Sequence, residues 1–153
     1  MAGTAISPRT LALLSREVAN INKFLNEFEP PTNGEDRIAS LGETSEFVIV
    51  QNMPLPDSYD PDYCDLMLIV SDFPATPPIG LYLLNKDEAL IAQLRSRFNA
   101  FRDGSFHEAP ALRGFTWICY SYRDNSWKYR ASDPVRGDNL RKFLASFYAE
   151  LGT

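Results

Sequence analysis

One cysteine stands where a thiol could do chemistry. Cys119 lies in the run Gly114-Phe115-Thr116-Trp117-Ile118-Cys119-Tyr120-Ser121-Tyr122, twelve positions after the sole histidine, His107, and eight before Trp127. The run opens on β-branched and aromatic residues, which favour a pleated surface. It gives way to Arg123-Asp124-Asn125-Ser126, a polar cluster that reads as a loop. A thiol where a strand meets a polar loop is open to two readings by residue type alone, a nucleophile within reach of a partner or a small buried core residue. A free cysteine is thiolate to a few per cent near neutral pH, enough to attack an already activated acyl group. Peptide hydrolysis would need a paired base, and a Cys119–His107 dyad has no nucleophile elbow or third member beside it. The second cysteine, Cys64, sits inside an apolar strand and reads as a small core residue.

Composition bounds the rest. A chain of 153 residues is expected to form one domain, 1–153, large enough to bury a core without a metal or disulfide staple. The apolar fraction of 44% and charged fraction of 23% are those of an ordinary globular protein. A formal charge of −5 argues against a nucleic-acid partner and against an anionic membrane surface. The longest apolar stretch, Leu66 to Val70, is far below a bilayer span. No basic segment followed by an apolar core opens the chain, and two cysteines are too few for a disulfide framework; a cytoplasmic protein with reduced thiols is expected. One histidine and two distant cysteines do not make a closed zinc site, and no cofactor is expected.

The elements that must position Cys119 follow from periodicity. Ser7-Pro8 is a serine cap with proline at the first helical position, and Leu11, Leu14, Val18, Ile21, Leu25 and Phe28 predict a helix over about 9–27. Arg37 to Leu41 is a weak strand, Gly42 to Ser45 a turn, and Glu46 to Gln51 a stronger strand. Three prolines and three aspartates make 54–62 an ordered loop. Tyr63 to Val70 is the clearest strand and is expected to be central. Asp72-Phe73-Pro74-Ala75-Thr76-Pro77-Pro78, with few amide donors, predicts a fixed extended connection outside the sheet, and Ile79 to Leu84 the next strand. Leu90, Ile91, Leu94, Phe98 and Phe101 predict a helix over 87–101, and 102–114 reads as irregular. The last helix is expected to start near Asp138 as its cap, with Leu140, Phe143, Leu144, Phe147 and Leu151 buried. The order makes an α+β domain with a four-stranded antiparallel meander between helices.

In that order the chain resembles the ubiquitin-conjugating (UBC) superfamily, over about residues 10–151. Phe73-Pro74-Ala75-Thr76-Pro77-Pro78 is similar to that family's Phe-Pro…Pro-Pro turn between its third and fourth strands. Gly114 to Ile118-Cys119 is similar to the segment ending in its Ile-Cys-Leu nucleophile. Trp127 falls where the family has a tryptophan soon after the cysteine, and His107 with Pro110 echoes its His-Pro-Asn motif. Trp117, Cys119, Tyr120, Trp127 and Gly137-Asp138-Asn139-Leu140 bring the chain nearest to divergent bacterial members. Two departures stand out: His107-Glu108-Ala109-Pro110 lacks the family's asparagine, and 87–101 inserts a helix after the fourth strand.

The resemblance favours the nucleophile reading of Cys119, and it implies a transferase that holds a ubiquitin-like protein as a thioester on that residue and passes it to an amine. Its partners would be a ubiquitin-like protein, an activating (adenylating) enzyme and a protein substrate, in the setting of antiphage defence. Transfer requires a donor to the developing oxyanion, typically worth about 3–4 kcal/mol. Asn125, Ser121 and Tyr122 are the candidates for that donor, Asp124 for steering the amine, and His107 for a further site residue. The missing asparagine leaves open a non-catalytic UBC-like binding module. A structural protein with a coincidental meander is the third possibility, which burial of the Cys119 sulfur would favour.

Overall fold

The computed structural model describes residues 7–105, 109–122 and 126–153. Helix α1, Pro8–Leu25, begins as its sequence dictates: the Ser7 side chain accepts from the Thr10 amide at 3.1 Å, and Pro8 fills the first turn. It buries Leu13, Leu14, Glu17, Ile21, Phe24 and Leu25; of the expected stripe Leu14, Ile21 and Leu25 are buried and Val18 half-buried, whereas Leu11 is exposed in the first turn and Phe28 lies beyond the helix end. Strands β1 (Ile38–Leu41), β2 (Phe47–Pro54), β3 (Tyr63–Ile69) and β4 (Leu81–Leu84) then form an antiparallel meander. The 42–45 turn closes through Gly42 N–H to Phe47 O at 2.8 Å, with Ser45 at φ +59°. The 54–62 loop closes through Leu55 N–H to Asp62 O at 2.9 Å.

The sheet does not stop at four strands. It has six, ordered β1-β2-β3-β4-β6-β5, where β5 is Ala100–Arg102 and β6 is Phe115–Ile118. The expected helix over 87–101 is only Glu88–Arg95 (α2), capped by Asp87, and the chain turns at Ser96 and Arg97 before joining the sheet. Phe98 belongs to the core beside Phe147, but Phe101 points to the other side and lies 5.8 Å from Trp117. The hairpin β5–β6 supplies the reason. Ala100 pairs Ile118 and Arg102 pairs Thr116, and these ladder bonds override the helical spacing. The 102–114 link is shaped by Asp103, at φ +54°, whose carboxylate accepts from the Gly114 amide at 2.6 Å.

Helix α3, Leu140–Leu151, buries Leu140, Phe143, Leu144, Phe147 and Leu151 as expected, but its cap is Asn139, which accepts from the Lys142 amide at 2.8 Å. Asp138 is committed elsewhere: its carboxylate accepts from the Lys128 amide at 2.7 Å, while its own amide donates to Lys128 O at 2.8 Å. The close approach that this bridge needs is permitted by Gly137, where a Cβ would lie 2.7 Å from the Arg130 nitrogen. The helices share one face of the sheet, packing Leu14, Ile21, Leu94 and Phe143 over Val48, Val50, Leu66, Leu68 and Ile118. On the opposite face Tyr82 and Trp117 form a smaller cluster with Ala109, flanked by Met67, Ile69 and Phe115. Among the described residues no helix is long and apolar enough to cross a membrane.

Candidate functional site

The thiol stands where β6 leaves the sheet. Ile118, its last residue, is fully buried, and the Cys119 amide still donates to Asn99 O at 2.8 Å. The next residues diverge from the ladder, and Cys119 is half-buried and outside any disulfide. It lines a solvent-open groove of about 520 Å³ whose opposite wall is the 72–80 segment, including Asp72, Thr76, Pro77, Pro78 and Gly80. The sulfur is therefore not sealed in the core. Cys64 is more deeply placed: it is buried within β3 at 8% exposure, and burial pushes its thiol well above the ordinary range.

Both tryptophans pin this groove. Trp117, on β6, is 1% exposed and its indole N–H donates to Ile79 O at 2.8 Å. Trp127, eight residues beyond the thiol in the chain, donates to Pro74 O at 2.9 Å. The facing segment is a turn, not the extended connection its prolines imply. Ala75 N–H donates to Asp72 O at 2.9 Å, and Phe73, Pro77 and Pro78 are buried. Its exit is Gly80, at φ +69°, where a Cβ would stand 2.4 Å from Ile118 O and 2.6 Å from the Trp117 indole nitrogen. β4 accordingly starts at Leu81 rather than Ile79.

Of the residues expected at the site, His107, Asp124 and Asn125 lie outside the described residues. Ser121 is exposed and lines the groove with Cys119. Tyr122 turns the other way, with its ring 6.2 Å from Trp127 and 6.1 Å from Phe143, so it serves the core. Tyr120 lines the groove beside Cys119 while its ring packs 5.5 Å from Phe143 and its hydroxyl binds that of Ser146. Pro110 accepts from the Tyr82 hydroxyl at 2.5 Å, which fixes the chain just after the His107 segment on the sheet's outer face. Among the described residues no cation lines the groove and no side chain hydrogen-bonds the Cys119 sulfur.

Sequence reasoning passed over two groove residues, Asp72 and Gly80. Asp72 gave no signal beyond a turn preference. Gly80 did: an isolated glycine within a strand pattern marks a close approach of backbone or ring, and here that ring is Trp117. No protein-family model matches the chain, and neither does any curated protein or solved structure.

Proposed function

We propose that the protein is a ubiquitin-conjugating-type transferase in which Cys119 carries a ubiquitin-like protein as a thioester and delivers it to an amine on a protein substrate. An activating enzyme would supply the acyl group. The observation that carries this reading is the half-exposed free thiol at the end of β6, lining an open groove whose facing wall, the 72–80 turn, is anchored by both indoles. The chemistry asks little of the site. The Cys119 thiolate attacks the carbonyl of an incoming thioester, a new C–S bond forms, and the departing thiolate takes the electron pair of the old one. No strong base is needed, which fits a groove whose described lining contains neither histidine nor cation. The resemblance of the Phe73–Pro78 and Gly114–Cys119 segments to the UBC superfamily supports the same reading.

The test uses a peptide ending in Gly-Gly, presented as the thioester of 2-mercaptoethanesulfonate. The expected result is one mass addition that hydroxylamine or excess thiol removes, absent in Cys119→Ser and retained in Cys64→Ser. Because any open thiol exchanges acyl groups, the deciding readout is transfer. The acyl group should pass from Cys119 to lysine faster than it does from glutathione. Equal rates would reject the transferase and leave the second reading, a UBC-like binding module, which the absence of a hydrogen bond to the Cys119 sulfur among the described residues favours.

A further inference from the structure

The groove beside Cys119 continues past its own walls. A second groove of about 260 Å³ reaches from Glu46 to Ala109 and Pro110, and the two share Asp72, Thr76, Pro77 and Ile79. They are adjoining halves of one trough that runs from the thiol, across the proline-rich turn, to the start of β2. Its walls near the thiol are mainly apolar, with Pro77, Ile79 and Trp117 beside Thr76, Tyr120 and Ser121. Of the charged groups, Asp72 lines both halves and Glu46 only the far one. Glu46 and Asp72 are the only charged side chains among its described lining residues, and both are exposed. Neither has an ion-pair partner among the described residues. Two uncompensated carboxylates along a mainly apolar trough, in a chain of net charge −5, concentrate cations there.

We infer that this trough is the approach path of the acceptor, and that the acceptor is a lysine within an extended, basic stretch of polypeptide. The inference rests on the thioester reading of Cys119 and adds the substrate class to it. Pro77, Ile79 and Trp117 give the lysine stem an apolar path to the sulfur. Glu46 and Asp72 hold the flanking cations farther out, which aligns the chain and sets its direction. The attacking amine is neutral, its proton having gone to water. It forms a C–N bond to the acyl carbon, and the C–S bond breaks with its electron pair returning to the Cys119 sulfur.

Two measurements decide it. In the first, the protein is charged with the Gly-Gly peptide and discharged by one of two lysine peptides of equal length, flanked either by arginines or by glutamates. The arginine-flanked peptide should react about tenfold faster at low salt, with the advantage shrinking as salt screens the trough. The ratio should fall to about one in the Glu46→Gln, Asp72→Asn double variant; changes common to both peptides cancel in it. A ratio near one in the unaltered protein, or one unchanged in the variant, overturns the inference. Spermidine outcompeting the arginine-flanked peptide overturns the polypeptide assignment. In the second, the arginine-flanked peptide is titrated into Cys119→Ser by NMR, with shifts expected at Asp72 and Ile79 and weaker binding in the double variant. Binding without acyl uptake on Cys119 would reject the thioester reading and uphold the basic polypeptide as the trough's ligand. Absence of binding overturns the inference whatever the charging result.

Discussion

The tightest coupling between fold and site runs through Gly80, and Gly80→Ala should expose it. Two costs add. An alanine at φ +69° meets the left-handed penalty, about 1–2 kcal/mol. Its Cβ would also stand 2.4 Å from Ile118 O, a backbone atom held beside the β4–β6 ladder, and 2.8 Å from Cε2 of the buried Trp117 ring. Neither can retreat without moving the strand end that carries Cys119, and overpacking of this kind costs about 1–3 kcal/mol. The sum is about 2–5 kcal/mol, which for a chain of this length lowers Tm by about 4–20 °C. Gly34→Ala is the internal control. Gly34 has a similar φ of +77° but open space around it, so it reads the backbone cost alone, about 1–2 kcal/mol. Thermal unfolding followed by circular dichroism on both variants separates the two contributions. Should the two variants melt within about 2 °C of each other, the packing account of the Gly80–Trp117 contact is wrong.

Native alkylation should separate the cysteines. Iodoacetamide should label Cys119 in the folded protein and reach Cys64 at least about a hundredfold more slowly, with both labelled in denaturant, because Cys64 reacts only after β3 opens. Peptide mapping by mass spectrometry reads the result, and comparable native rates would contradict the placement of either residue. A pH profile should find Glu17, 1% exposed in α1, whose carboxylate accepts from the Leu140 amide at 2.8 Å. Burial raises its pKa above the ordinary 4.5, against the opposing pull of that amide and of Arg16. From about pH 4.5 upward, the native state therefore keeps a proton that the unfolded chain has released, and the contribution of Glu17 to stability falls until the raised value is passed. Glu17→Gln keeps an acceptor for Leu140 and removes the titration, so its Tm relative to the unaltered protein should rise between pH 4 and 7. A difference that is flat or falling with pH would show that Glu17 does not titrate as a buried acid.

What could be read from the sequence was local. Ser7-Pro8 and the six-residue stripe behind it define α1 to within two residues of the structure, and the α3 stripe survives intact. The strand that delivers Cys119 was visible because Phe115 to Ile118 combine β-branched and aromatic side chains before a polar run. The misplaced features were those decided at a distance. Phe101 completes a helical spacing, yet three residues pairing with β6 outweigh it. Asp138 and Asn139 are equally good caps by type, and only the Lys128 amide determines which is free to serve. The groove itself has no sequence signature. Its two walls lie about forty residues apart and meet because Leu81 pairs Ile118.

That pairing also explains why tryptophans bracket the thiol. Pro74, Pro77 and Pro78 bring no amide hydrogen to the turn they occupy, but every residue in it still carries a carbonyl that needs a donor. Water could serve those oxygens only by loosening the wall. Trp117 and Trp127 serve two of them instead, Ile79 O and Pro74 O, each indole contributing one N–H and a large apolar face that keeps water out. A shorter donor would leave a gap behind the wall, and an apolar ring would leave a carbonyl unmet at about 1–3 kcal/mol. Because the two indoles flank Cys119 in the chain, satisfying the proline turn and holding the sulfur at its mouth are one structural act. The position of the thiol is thus set by what the facing segment lacks, which is why residues with no chemistry of their own decide where the chemistry of Cys119 can occur.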